Sequence, residues 1–384
     1  MTNDQVPMTN DLSESQPGPQ PQPASLKVVL GAGGTGGHVF PALALGIEMR
    51  ELGIDVLWVG REAGLENQVA VENGFELTVL ASAGFYGKGI GGKARAAWLL
   101  GRGLAQAISL LRRVKPTGVV ATGGFATAAL LAAAEFGGTP YFLLEQNCIP
   151  GRVTSFFAPR ARETFLAFPG ASPFPGASSV VGNPLRRELG RGERNDDGRT
   201  VLCIGGSLGA QALSEAALDV AAALSNLNFI IVTGHRDFEF VRSRVRSKNV
   251  KLVEFTSHPE ELYRMATIAV SRAGGVVLSE LVASGIPAIL IPFPYATDRH
   301  QHANARYLAS VGAASVLEQS RLSGLTSLVR TLMDDAPRRE QMEAAGRSIA
   351  KPDAASVIAR KVAEELSQGQ ESSLKSEARV TNVE

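Results

Sequence analysis

The stretch Leu26-Lys-Val-Val-Leu-Gly-Ala-Gly-Gly-Thr-Gly-Gly-His38 decides the fold, because Val201-Leu-Cys-Ile-Gly-Gly-Ser-Leu-Gly-Ala210 repeats its plan in the other half of the chain. Each is a short apolar run, a glycine-rich turn and the start of a helical pattern. That order offers free backbone N–H groups and the positive end of a helix dipole to a phosphate. One such turn is a weak signal. Two of them, each opening its own series of strands and helices, predict two similar α/β domains facing phosphorylated groups across a cleft.

Outward from the first turn, apolar segments at 26–30, 55–59, 75–80, 118–122 and 141–145 alternate with helical patterns near 39–52, 64–73, 93–114 and 125–136. Short segments at 164–168 and 179–181 extend the sheet. The pattern restarts with strands at 201–204, 228–233, 250–255, 268–271 and 286–291. Helices near 210–224, 237–246, 259–265 and 276–284 separate them, and others follow near 300–310, 322–333, 337–350 and 353–366. The strands are rich in Val, Leu and Ile without strict alternation, as expected when helices cover both faces of a parallel sheet. The reading is therefore α/β, with two doubly wound, Rossmann-like domains at 26–182 and 200–352. A linker at 183–199 joins them, the helix at 353–366 is placed to pack back on the first domain, and residues 1–25 and 367–384 read as disordered tails.

Composition narrows the function. The 384 residues carry a net charge of +1, a whole-chain balance that says nothing about nucleic acid, and no nucleic-acid partner is expected. Cys148 and Cys203 have no metal-site spacing and form no disulfide framework, which suits a reducing cytoplasm. The first 25 residues contain five prolines and no Lys or Arg, unlike a secretory signal, and no long uncharged apolar run would span a membrane.

Gly31, Gly33 and Gly36 satisfy the dinucleotide fingerprint. Its acidic partner is expected about 20 residues on, whereas Glu62 lies 31 residues from Gly31. A nicotinamide or flavin oxidoreductase is thus the weaker reading. His38, at the loop's end, is either a base or phosphate contact or a loop residue with a satisfied hydrogen bond. Glu145-Gln-Asn147 leaves a buried strand at its C-terminal end, where ligands are met, although Asn147 could equally cap a turn. Ser271-Arg-Ala-Gly-Gly275 opens a helix whose first amides suit a phosphate. Glu280 on that helix is either a diol acceptor for ribose or an exposed carboxylate. Asp298, His300 and Gln301 form a cluster suited to sugar hydroxyls. With no Asp-x-Asp in the chain, a leaving diphosphate would be neutralised by helix termini and basic side chains, without metal.

Between Glu76 and Glu135 no acidic residue occurs, but Lys88, Lys93, Arg95, Arg102, Arg112, Arg113 and Lys115 do, among Phe85, Tyr86, Ile90, Trp98, Leu99 and Leu100. Such a stretch is either a surface for anionic lipid or a solvated helix face with Trp98 in the core.

Gly-Gly-Thr-Gly-Gly-His-Val-Phe-Pro (33–41), Glu-Gln-Asn (145–147), Val-Gly-Asn-Pro-Leu-Arg (181–186), Gly-Gly-Ser-Leu-Gly-Ala (205–210), Arg272 to Glu280 and Asp298-Arg-His-Gln301 occur in one order over about residues 26–366. On these the chain resembles the MurG family, bacterial enzymes that add N-acetylglucosamine to lipid I in peptidoglycan synthesis. The resemblance implies a GT-B fold and inverting transfer from UDP-N-acetylglucosamine to the muramoyl C4 hydroxyl, with no cofactor. It implies His38 and Asn147 as catalytic residues. Gly33, Gly34, His38, Glu145 and Gln146 would meet the acceptor. The donor would meet Thr35, Gly36, Gly37 and Asn147 from the first domain, Arg186 from the linker, and Ser207, Gly274, Gly275, Val276, Glu280 and Gln301 from the second. It implies the anionic inner-membrane surface, at its cytoplasmic face, as a peripheral docking site, and makes other envelope-synthesis proteins candidate partners. Alternatives are a GT-B enzyme acting on another lipid, or a UDP-sugar-binding protein without catalysis. The family usually has Gln at Leu208, Gly-Ala-Leu-Thr where this chain reads Gly274-Gly-Val-Val277, Gln at His300 and Tyr at Phe125.

Overall fold

A computed structural model describes residues 25–34, 36–61, 65–82, 90–170, 174–190, 194–206 and 209–381. The first domain is a seven-stranded parallel sheet of β1 (Lys27–Gly31), β2 (Asp55–Arg61), β3 (Glu76–Leu80), β4 (Gly118–Ala121), β5 (Tyr141–Glu145), β6 (Glu163–Leu166) and β7 (Ser178–Val180), in the order β3-β2-β1-β4-β5-β6-β7. Its helices are α1 (Gly36–Glu51), α2 (Leu65–Glu72), α3 (Ile90–Val114), α4 (Ala128–Phe136) and α5 (Arg152–Phe157). The second sheet has six strands, β8 (Thr200–Ile204), β9 (Asn228–Val232), β10 (Val250–Val253), β11 (Ile268–Ser271), β12 (Ala288–Leu290) and β13 (Ala314–Val316), in the order β10-β9-β8-β11-β12-β13. Around it lie α6 (Gln211–Ala223), α7 (Phe238–Arg242), α8 (Pro259–Met265), α9 (Gly275–Ala283), α10 (His300–Ser310), α11 (Leu325–Asp334) and α12 (Ala336–Ile349), and α13 (Ala354–Thr381) closes the chain.

Both faces of each sheet are buried, which is why the strands read as unbroken apolar runs. In β1, Val28 and Leu30 enter one core cluster while Val29 enters another. In β8, Leu202 and Ile204 face one core, and Val201 and Cys203 the other. Burying each such side chain is worth about 1.5–3 kcal/mol. Burial also raises the pKa of the Cys203 thiol to about 12, making it an inert core group.

Strand order reverses beside the first strand of each domain, between β1 and β4 and between β8 and β11. Ligands of doubly wound sheets bind at such switch points. Gly31 pairs with Ala121 in one sheet and Ile204 with Ser271 in the other, so each glycine turn leaves its sheet at the crevice.

The helix expected from 39 begins instead at Gly36, so Gly36, Gly37 and His38 form the first turn of α1. Two elements escaped the pattern: α5, six residues long, and β13, three residues of mainly small side chains. The tail expected at 367–384 is corrected as far as Thr381, because α13 continues to that residue. Ile358, Ala359, Val362 and Leu366 pack that helix into the first domain's core. Such anchoring supplies the costly nucleus, and the helix formers beyond it need only propagate. Trp98, which the sequence allows either in the core or on the surface, is 62% exposed.

The two domains touch closely. Asn183 Nδ2, buried at the start of the linker, donates to Ser279 Oγ at 2.8 Å and to the Gly275 carbonyl at 3.2 Å. Farther along the linker, Arg187 Nε reaches Glu48 of α1 at 2.7 Å. At the cleft, the first turn of α9 lies against the loop after β5, and a Cβ on Gly275 would stand 1.9 Å from the Gln146 carbonyl oxygen. A Cβ on Gly274 would meet nothing within 4 Å. Gly275→Ala should therefore push the domains apart at a cost of about 1–3 kcal/mol, the scale of overpacking. Gly274→Ala should melt like the parent. Thermal unfolding of the two variants checks this, and equal melting temperatures would remove the close approach as a constraint.

Candidate active site

The first glycine turn carries His38 into the crevice. Its Nδ1 lies 2.7 Å from the Thr122 carbonyl oxygen, which accepts a second hydrogen bond from Gln146 Nε2 at 2.9 Å. A carbonyl only accepts, so the neutral ring carries its proton on Nδ1 and keeps a lone pair on Nε2. Gly123 and Gly124, both with positive φ, turn the chain beneath the imidazole. A Cβ at Gly124 would meet the Gly33 carbonyl oxygen at 2.8 Å and the His38 ring at 3.4 Å. This tight backbone crossing fixes the ring's place between two loops.

Glu145, Gln146 and Asn147 are committed to protein contacts. Glu145 Oε1 accepts from the Asn147 backbone N–H at 3.0 Å and from Asn147 Nδ2 at 3.2 Å, while Oε2 accepts from the Gly151 N–H at 2.8 Å. The carboxylate thus folds its own loop and holds the residue that opens α5, a structural use that its expected acceptor contact did not include. Asn147 Oδ1 accepts from Asn304 Nδ2, 3.0 Å away on α10. Asn304 is fully buried, also donates to the Ala273 carbonyl at 2.9 Å, and accepts from the Cys148 N–H at 2.8 Å through Oδ1. One amide therefore joins the loop after β5, the loop before α9 and the helix bearing Gln301. Burial raises the Cys148 thiol to about 12, which leaves it a neutral neighbour of this joint.

Across the cleft, α9 starts at Gly275 with no side-chain cap on its first turn. Its unpaired amides are the expected phosphate site. Gly274 leaves open space beside them, whereas Gly275 is backed onto Gln146, so its missing Cβ serves domain contact rather than phosphate approach. Val276, next in the turn, is buried. Glu280 is not the exposed carboxylate weighed from the sequence. It is 6% exposed, its pKa is raised by burial, and its Oε2 accepts from the Tyr263 hydroxyl at 2.7 Å. Oε1 has no partner among the described residues. Arg186 sends its guanidinium to the Ser257 carbonyl and over the Phe40 ring at 4.7 Å, and its charge draws the Glu280 pKa back down.

Gln301 Oε1 accepts from the Phe293 N–H at 2.9 Å, leaving its amide N–H groups for a ligand. His300 Nδ1 lies 2.7 Å from the Thr297 carbonyl, and Asp298 pairs with Arg152 of the first domain at 3.3 Å. Thr35 and Ser207, with Leu208, lie outside the described residues, as do Phe85, Tyr86 and Lys88. Sequence reasoning missed Asn304 and Tyr263. Asn304 lies three residues after Gln301, one helical turn away on the same face, which is the signal that could have found it. For Tyr263 no local signal exists, since its partner is 17 residues away on another helix.

Comparison with known proteins agrees with this architecture. Residues 28–166 match the glycosyltransferase family 28 N-terminal domain, and residues 200–359 match the family's C-terminal domain. A curated relative from Methylococcus capsulatus, named UDP-N-acetylglucosamine--N-acetylmuramyl-(pentapeptide) pyrophosphoryl-undecaprenol N-acetylglucosamine transferase, is 41% identical over 88% of this chain and 98% of its own length. One of the same name from Alkalilimnicola ehrlichii is 36% identical over 89% of this chain and 99% of its own. The crystal structure of Acinetobacter baumannii MurG superposes with a TM-score of 0.72 at 28% identity, covering 88% of this chain and 99% of that one. The calicheamicin glycosyltransferase CalG4, at 18% identity and a TM-score of 0.69, shares the fold. The fold is GT-B, and the chain belongs to the MurG family of glycosyltransferase family 28.

Proposed function

We propose that this protein transfers N-acetylglucosamine from UDP-N-acetylglucosamine to the C4 hydroxyl of the muramoyl sugar of lipid I, with inversion at the anomeric carbon, giving lipid II. The observation that carries the mechanism is the junction at Gly275 and Gln146. It brings the uncapped start of α9 against the loop after β5, whose Gln146 shares the Thr122 carbonyl with His38. The acceptor oxygen attacks the anomeric carbon, the bond to the UDP oxygen breaks, and the acceptor proton passes to His38 Nε2. The leaving diphosphate meets the α9 amides beside Gly274, where the helix dipole offsets its charge. Glu280 Oε1 takes the ribose hydroxyls, Arg186 stands beside it, and the Gln301 amide takes sugar hydroxyls. Asn147 acts by holding this geometry through Asn304.

Among the described residues no helix is long and apolar enough to cross a membrane. The acid-free face of α3 supports docking on anionic lipid at the cytoplasmic face of the inner membrane. Trp98 and Arg95 are exposed there, and Arg102 lies 5.8 Å from the Trp98 ring.

If His38 is the base, His38→Ala should lower turnover on a soluble lipid I analogue by about 10²-fold or more while UDP affinity holds. Near-parental turnover would return His38 to a loop role. Glu280→Gln keeps the side-chain volume and should weaken UDP binding by about 10- to 100-fold, the scale of a charge-assisted hydrogen bond. Calorimetry with 2′,3′-dideoxy-UDP is the control, and the variant should bind it about as the parent does. An equal loss for both ligands would mean the carboxylate serves only the protein's interior. Neutralising Arg95 and Arg102 together should weaken binding to anionic vesicles by about 1 kcal/mol per charge. Flotation assays showing unchanged binding would make α3 a solvated face.

A further inference from the structure

Among the buried charges that the mechanism leaves unused, Glu66 is the most deeply buried. Glu66, on α2, is 0% exposed, and its Oε2 has no partner among the described residues. Its Oε1 accepts from the Arg61 backbone N–H at 3.3 Å and pairs with Arg61 Nε at 3.3 Å. The carboxylate lies directly behind the first glycine turn, since a Cβ on Gly33 would meet Glu66 Oε1 at 3.2 Å and Ala126 Cβ at 2.5 Å.

Arg61 ends β2, beside the β1 end where that turn begins. Its side chain is 34% exposed, and its guanidinium lies 5.9 Å from the Phe125 ring. Phe125 follows Gly124, which borders both Gly33 and His38. The guanidinium terminal N–H groups have no partner among the described residues. The pair is thus a dipole with its negative end sealed inside and its positive end on the lip that carries His38. An isolated charge as buried as Glu66 costs several kcal/mol unless paired, so Arg61 is held near it. A planar guanidinium keeps donors free on its outer edge while one edge is occupied.

We infer that Arg61 binds the diphosphate of the acceptor at the first glycine turn, and that the buried Glu66 is the positioning residue that aims it. The inference rests on the acceptor reading of that turn. Arg61→Met should raise the KM for a short-chain diphosphate acceptor by about 10- to 100-fold, as loss of a charge-assisted contact would. Turnover at saturation and the KM for UDP-N-acetylglucosamine should stay within about threefold. On an acceptor sugar whose diphosphate is replaced by a neutral alkyl linkage, parent and variant should perform alike. Arg61→Lys should recover part of the loss, and Glu66→Gln should show a smaller rise in the same KM. An equal penalty on both acceptors, or an unchanged KM, overturns the inference.

Calorimetry with a short prenyl diphosphate, added to UDP-saturated protein, reads the contact without turnover. If the parent transfers no sugar yet binds this probe through Arg61, the proposed function falls and the Arg61 contact stands. If the parent is active and Arg61→Met binds the probe as tightly as the parent does, the contact falls and the function stands.

Discussion

The first turn of α9 rests on the Gln146 carbonyl with no room for a side chain between them. Everything else at the cleft depends on that approach. It brings the helix start that would take the donor's diphosphate against the loop that follows β5. That loop keeps its shape through Glu145, whose two oxygens bind three N–H groups, and is tied to α10 by Asn304. Each Asn304 hydrogen bond is worth about 0.5–1.5 kcal/mol, but separating the domains would strip partners from a fully buried amide, and that penalty is larger. The amide therefore sets position as much as it adds stability.

Charge around α9 is arranged around burial. Glu280 is raised by desolvation, held by the Tyr263 hydroxyl and eased by Arg186. Arg272, at the end of β11, is likewise buried and its pKa is lowered, with its guanidinium donating to the Ile291 carbonyl and Gln319. Two non-glycine residues with strained backbone precede α10. Asp298 and Arg299 both adopt left-handed φ, 51° and 55°, although neither is glycine. Such residues cost of order 1 kcal/mol or more each. They turn the chain so that Asp298 reaches Arg152 of the first domain while α10 starts at His300 and carries Gln301 and Asn304 inward.

Much of the fold was legible because its signals are local. Apolar runs closed by glycine turns marked β1 and β8, and the restart at 201 marked a second domain. The candidate site was legible by residue type and by position near strand ends, which is how His38, Glu145 and Glu280 stood out as candidates. Their partners were not legible, because those partners come from elsewhere in the fold. Gly275 reads as a phosphate turn until Gln146 is seen against it. Asn147 reads as a ligand contact until Asn304 is found on it, 157 residues later. Nothing local in the sequence singles out Glu66 on its short helix, and the Gly33 turn packed over it makes it a buried charge. The continuation of α13 to Thr381 was hidden for another reason, since its polar composition resembles a tail when the anchored half of the helix is out of view.

The chain crosses between domains twice, after β7 and again before α13, and the two crossings touch. Gly182, with φ of +94°, brings its backbone so near the second crossing that a Cβ there would stand 2.4 Å from the Lys351 Cβ. Two tethers meeting at one place leave rotation about that place as the motion that stretches neither. Contacts far from the tethers must break first in such a rotation. The exposed Arg152–Asp298 pair at the cleft rim costs about 0–1 kcal/mol to separate. The buried Asn304 joint behind it costs more, and the Asn183 bonds to α9 lie close to the first tether, where displacement is least. A transferase of this architecture has to admit a nucleotide sugar and a lipid-linked acceptor, then exclude water between them. The contacts across the cleft are therefore graded, from the exposed Arg152–Asp298 pair to the fully buried Asn304 amide and the Asn183 bonds beside the first tether.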